Sequence, residues 1–143
     1  MSTLPKQKIL IVDDEPDILE LIEYNLKKEG YQVYTAKNGQ EAVSEAKKVL
    51  PDLIVLDIMM PKMDGIEACR IMRTMPEFKN TFMVFLTARS EEYSEIAGFN
   101  VGADDYIAKP IKPRALVSWI NAILRRNAPA EEVTDNKLEI GDL

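Results

Sequence analysis

The segment Leu53–Asp57 reads LIVLD, an unbroken apolar run closed by a carboxylate. A strand can be apolar at every position only if both of its faces are covered, which is the situation of a central strand in a parallel sheet. The break at Met60-Pro61 then leaves Asp57 at the strand's carboxyl end. In open α/β sheets the crevice beyond those ends gathers ligands and chemistry, because loops converge there on a rigid platform. On this segment alone Asp57 is equally well a residue that caps a turn.

The rest of the chain supplies such a sheet. Lys8–Val12 (KILIV) is a second apolar run, ending at Asp13-Asp14-Glu15-Pro16. Pro16 suits the first turn of a helix over Asp17–Glu29, in which Ile18, Leu19, Ile22 and Leu26 recur at helical spacing before Gly30 closes it. Tyr31–Ala36 alternates as a strand, and the turn pair Asn38-Gly39 precedes a helix over Gln40–Val49 that buries Ala42, Val43 and Ala46. Beyond Asp57, Pro61 and Gly65 shape a loop, and Ile66, Cys69, Ile71 and Met72 mark a helix stopping near Met75-Pro76. Phe82–Leu86 is a buried strand finishing at Thr87-Ala88-Arg89, and Glu91–Asn100 carries a helical pattern diluted by Gly98. Asp104–Ala108 forms a fifth strand, followed by Lys109-Pro110. Pro113 opens the last helix, whose stripe of Leu116, Val117, Ile120, Ile123 and Leu124 runs to Arg125-Arg126. Five strands alternating with five helices predict parallel pairing through right-handed crossovers, hence a three-layer α/β sandwich.

Composition narrows the chemistry. The 143 residues suffice for one domain and a tail, and a net charge of −6 argues against this piece binding nucleic acid. Histidine is absent, which removes every His-based nucleophile, base or metal site, and the single Cys69 allows neither a disulfide nor a cysteine cluster for zinc. Carboxylates, hydroxyls and amines remain. The opening MSTLPKQK lacks an apolar signal region, and no run approaches the ~20 residues of a membrane span, so a soluble cytoplasmic protein with no membrane partner is expected.

Parallel strands present their carboxyl ends at one edge, so Asp13-Asp14, Asp57, Thr87 and Lys109 should converge on one crevice. Clustered carboxylates repel and call for a divalent cation, and all-oxygen ligation favours Mg²⁺ or Mn²⁺ over zinc. A phosphoryl group is the natural fourth party: one carboxylate becomes an aspartyl phosphate, while the metal and a lysine neutralise its oxygens and a threonine hydroxyl donates to one. Each piece alone is more often a cap, a turn or a solvated residue; their coincidence at successive strand ends carries the reading.

On the motifs VDDE (Val12–Glu15), LDIMMPKMDG, LTAR (Leu86–Arg89), GADDY (Gly102–Tyr106) and KP (Lys109-Pro110), the chain resembles the receiver domain of two-component response regulators over Lys8–Asn127. The resemblance implies a doubly wound, flavodoxin-like (CheY-like) α/β fold with strand order 2-1-3-4-5. It implies Asp57 as phosphoacceptor, Asp14 binding the metal directly, Asp13 mainly through water, and the Met59 backbone carbonyl as a further ligand. Thr87 and Tyr106 become a switch pair, Lys109 the phosphate-pairing cation, Lys109–Pro110 a cis peptide, and Ala88 a small residue leaving room for phosphate. The partner it implies is a histidine kinase, for which the domain is a substrate more than an enzyme.

Residues 1–127 thus form the receiver, and 128–143 a linker ending in NKLEIGDL, which resembles the first strand of the winged-helix DNA-binding domain of OmpR/PhoB-like regulators. DNA contact would come only through that further domain. Such receivers dimerise through the helix before the fifth strand, that strand and the last helix. Here the pair corresponding to Glu95 and Ala115 is lost and Trp119 replaces the arginine partner of Asp105, leaving Asp104 and Arg126 as the surviving pair. Positions 115, 119, 122 and 126 are expected to share an outward stripe, with Trp119 as an apolar anchor of a phosphorylation-favoured homodimer, or covered by the Val133–Leu143 tail. A magnesium-dependent phosphatase of the haloacid-dehalogenase type is the competing enzyme reading. It wants an acid two residues after the nucleophile, where this chain has Met59. An inactive receiver used as a binding module is a third reading, against which every required acid, Thr and Lys is present.

Overall fold

The computed structural model describes residues 7–58, 60, 62–87 and 101–126. The elements are β1 (Lys8–Val12), α1 (Pro16–Lys28), β2 (Gln32–Ala36), α2 (Gly39–Val49), β3 (Leu53–Asp57), α3 (Gly65–Arg73), a 3-10 turn at Pro76–Phe78, β4 (Phe82–Thr87), β5 (Asp105–Ala108) and α4 (Pro113–Arg126). All strand pairs are parallel and the order is β2-β1-β3-β4-β5, as expected.

Alternation along each strand explains why these runs are apolar throughout. Ile9, Ile11, Leu53, Val55, Val84 and Leu86 face one layer with Leu19, Ile22 and Leu26 of α1 and Leu116, Ile120 and Leu124 of α4. Their neighbours Leu10, Val12, Ile54, Leu56, Met83 and Phe85 face the other, against Ala42 and Ala46 of α2 and Ala68, Cys69 and Met72 of α3. Every residue of β3 is buried. Two cores on one sheet hold its carboxyl edge rigid.

The helix ends follow local chemistry. Pro16 occupies the first turn of α1. At the other end Gly30 (φ 97°) donates to the Lys27 carbonyl and Tyr31 to that of Leu26, a Schellman closure that returns the chain to β2. Asn38 and Asp64 cap α2 and α3 by accepting from the amides of Glu41 and Glu67, at 2.9 and 2.8 Å. Helix α3 ends earlier than the sequence suggests: Pro76 opens a separate 3-10 turn that buries Phe78 completely. Cys69 is buried, its thiol 3.7 Å from the Val101 carbonyl, and burial pushes its pKa up to about 11, so it is a packing residue. Among the described residues no helix is long and apolar enough to cross a membrane. The helix expected at Glu91–Asn100 and the tail at 128–143 lie outside the described residues.

The last helix corrects the expected outward stripe. Trp119 is half-buried against the α1/α4 core, its ring edge-on to Phe82 with centroids 5.9 Å apart and planes at 64°. At about 3.6 residues per turn, position 119 lies about one turn from both Leu116 and Ile123, so it flanks the buried stripe instead of opposing it. Asp104 is also engaged within the chain. Its Oδ2 accepts from Arg73 Nη2 and from the Met83 amide, both at 2.8 Å. The side chain of Arg126, its expected intersubunit partner, lies outside the described residues.

Candidate functional site

At the carboxyl edge, β3 ends on Asp57 itself and β4 on Thr87, while Asp13 and Lys109 directly follow β1 and β5. The Asp13 amide donates to the Ala36 carbonyl at 3.1 Å, continuing the β1–β2 ladder by one residue and drawing the aspartate inside. Likewise the Lys109 amide donates to the Thr87 carbonyl at 2.7 Å, just before the cis Lys109–Pro110 bond, which tethers the lysine to the end of β4. Asp13 is fully buried, Asp57 is 4% exposed, Thr87 is 5% exposed and Asp14 lies open to solvent.

The charged atoms meet as the sequence predicts. The Lys109 ammonium stands 3.3 Å from Asp13 Oδ2 and 3.5 Å from Asp57 Oδ2. Oxygens of Asp13, Asp14 and Asp57 lie within 4.8 Å of one another. Burial raises the Asp57 pKa to about 7; the Asp13 charge adds to this, and Lys109 only partly offsets it. Burial by itself would lower the Lys109 pKa, but the carboxylates of Asp57 and Asp13 outweigh it and leave it raised.

These residues suit a divalent cation. Asp13 Oδ1 is satisfied by the Glu15 amide at 2.9 Å, whereas the buried Oδ2 has, among the described residues, the Lys109 ion pair at 3.3 Å and no well-aligned hydrogen bond. Three carboxylates therefore cluster about one ammonium, which is the partner of the buried Asp13 Oδ2 among the described residues and is shared with Asp57. Hard, all-oxygen ligation is the chemistry of Mg²⁺ or Mn²⁺.

The register also relates the expected switch residues. Thr87 pairs with Ala108 and Phe85 with Tyr106, so Thr87 and Tyr106 lie two residues apart diagonally on the same sheet face. Tyr106 is half-buried against the α2/α3 core. Met59 and Ala88 lie outside the described residues. Two features were not read from the sequence. The Glu15 amide fixes the Asp13 carboxylate in an Asx turn, which an aspartate permits at this position but does not require. Gly65 fits where a Cβ would come within 2.3 Å of the Asp57 carbonyl oxygen, a close approach that the MDG motif marks only as a loop.

Residues 9–121 match the response regulator receiver domain. The chain is 46% identical over 145 residues to the alkaline phosphatase synthesis transcriptional regulatory protein PhoP of Bacillus subtilis, covering 96% of this chain and 59% of that protein. It thus spans about three fifths of the length of that curated relative. Among solved structures, the chemotaxis response regulator CheY4 of Vibrio cholerae superposes with a TM-score of 0.79 at 33% identity, covering 83% of this chain and 99% of that one. The response regulator DrrB, a Thermotoga maritima OmpR/PhoB homolog, gives 0.76 at 31%, covering 85% of this chain and 54% of that one.

Proposed function

The chain belongs to the response regulator receiver domain family, and from that premise we propose that Asp57 is the phosphoacceptor of a phosphorylation-controlled switch served by a histidine kinase. The observation that carries this is the buried Asp57 carboxylate with Lys109 at 3.5 Å and the Asp13–Asp14 pair beside it. An ionised Asp57 oxygen attacks the phosphorus of a phosphohistidine: the new P–O bond forms as the P–N bond breaks, and the histidine nitrogen keeps the electron pair and takes a proton from solvent. Asp13, Asp14, Asp57 and the Met59 carbonyl would hold Mg²⁺ or Mn²⁺, which when bound supplies positive charge against the phosphoryl oxygens. Lys109 supplies a second cation, and the Thr87 hydroxyl donates to a phosphoryl oxygen. The domain is in this sense a substrate that assists its own modification.

The output follows from the switch pair. As Thr87 moves toward the phosphoryl group, Tyr106 shifts inward behind it and the surface of β5 and α4 changes between two populated arrangements. That surface would support a phosphorylation-favoured homodimer, through the exposed part of Trp119 and with Asp104 and Arg126 as the charged pair the sequence retains. A DNA-binding domain beyond the receiver would read the dimer out in the cytoplasm. The test is intact mass after incubation with acetyl phosphate: a single phosphoryl adduct forms with Mg²⁺ and not in excess EDTA. An adduct formed equally fast in EDTA would reject the mechanism.

A further inference from the structure

Helix α2 begins at Gly39, and the reason for a glycine there is not conformational. Its φ is ordinary, whereas Gly30 and Gly102 are the glycines with positive φ among the described residues. What Gly39 lacks room for is a Cβ. One built there would stand 2.5 Å from the Met63 carbonyl oxygen, 2.7 Å from Met63 Cγ and 2.9 Å from Met63 Cβ. The Gly39 amide, one of the first-turn donors that a helix cannot satisfy internally, donates to that same carbonyl at 2.9 Å.

Met63 belongs to the connection that leads from Asp57 to α3. That connection is anchored at one end, where the Ile58 amide donates to the Leu86 carbonyl at 3.1 Å, and at the other, where the Gly65 amide donates to the Ile58 carbonyl at 3.0 Å. Between the anchors the backbone turns through Lys62 at φ 68°, a left-handed conformation that costs energy for a residue with a side chain. The hydrogen bond to Gly39 holds the chain directly after that turn.

Resting on the phosphoacceptor reading above, we propose that Gly39 is a positioning residue for phosphoryl transfer: by docking the start of α2 onto the Met63 carbonyl, it fixes the loop that follows Asp57. A methyl group at position 39 must push this carbonyl outward by several tenths of an ångström, since it is backbone and cannot rotate aside. Displacements approaching 1 Å remote from the reacting atoms can cost on the order of 100-fold in rate.

The experiment compares the wild-type chain, Gly39→Ala and Gly30→Ala. Gly30 needs a positive φ at the end of α1, so its substitution destabilises the fold without touching the loop. Phosphorylation by acetyl phosphate at saturating Mg²⁺, followed by intact mass, should be roughly 10-fold or more slower in Gly39→Ala and unchanged per folded molecule in Gly30→Ala. Calorimetric titration with Mg²⁺ alone should show weaker binding only in Gly39→Ala. Adding Met63→Gly should not restore the rate, because the obstructing carbonyl remains. In wild-type protein, independently of how any variant folds, exchange of the Gly39 amide should slow when Mg²⁺ and beryllofluoride load the site, since the coupling is reciprocal. Equal rates in Gly39→Ala and wild type, rescue by Met63→Gly, or Gly39 exchange indifferent to loading would overturn the proposal. Absence of any phosphoryl adduct in the wild-type chain would instead overturn the phosphoacceptor reading itself.

Discussion

Lys109 Nζ lies 3.5 Å from Asp57 Oδ2 and 3.3 Å from Asp13 Oδ2, so one ammonium is shared between two buried carboxylates and neutralises neither fully. The site is thus electrostatically strained without a metal, and this has a thermodynamic signature.

Asp57 ionises near 3.8 when unfolded but only at about 7 when folded. Between those values the folded state holds the extra proton, so stability falls as pH rises from roughly 4 to 7, and the penalty is complete above 7. Asp57→Asn should therefore raise the thermal midpoint at pH 8 by several degrees, on the order of 2 kcal/mol, and have little effect at pH 4. Mg²⁺ should stabilise the wild type at pH 8 far more than the mutant. Calorimetric scans at both pH values check this; a mutant less stable than wild type at pH 8 without metal would contradict it.

Thr87 and Tyr106 share a sheet face through the register of β4 with β5. Thr87→Ala should still accept a phosphoryl group but leave amide exchange over Asp105–Ala108 unaltered on phosphorylation, whereas wild type responds. Equal responses would route the coupling through other residues.

Trp119 and Phe82 contact edge-on, an arrangement worth about 0.5–1.5 kcal/mol beyond the area it buries. Trp119→Ala should therefore lower the thermal midpoint of the unphosphorylated chain, while Trp119→Phe largely preserves it. If the remaining exposed part of the indole also meets a second copy, sedimentation of the beryllofluoride-activated chain should show a dimer insensitive to salt in wild type and weakened in Trp119→Ala. Dissociation by salt alone would rule out an apolar contact.

The sheet was legible because β1, β3 and β4 are covered on both sides, and continuous apolar runs of their length have few alternatives. Asp57, Asp13 and Lys109 were legible for a related reason: parallel pairing carries all three to one edge whatever the helices do. Orientation about a helix axis was harder. Helical spacing alone puts the stripe holding Trp119 opposite the core, yet Phe82 at the start of β4 reaches it from the sheet, and such a contact leaves no periodic trace. Asp104 shows the same limit. It is exposed, as its motif suggests, yet Arg73, 31 residues away, and the Met83 amide bind its carboxylate. Asn38-Gly39 reads as a turn pair; Asn38 caps α2 locally through the Glu41 amide, whereas the docking of Gly39 depends on Met63 from a different connection.

The central claim is that Asp57 alone is the phosphoacceptor, served by the carboxylates around it. The direct measurement is intact mass with peptide mapping of wild type, Asp57→Asn and Asp13→Asn after equal exposure to acetyl phosphate and Mg²⁺. The account predicts one adduct on the Asp57 peptide in wild type, none in Asp57→Asn, and a slowed reaction at the same peptide in Asp13→Asn. An adduct of undiminished yield in Asp57→Asn, or one mapping to Asp13 or Asp14 in wild type, would contradict it.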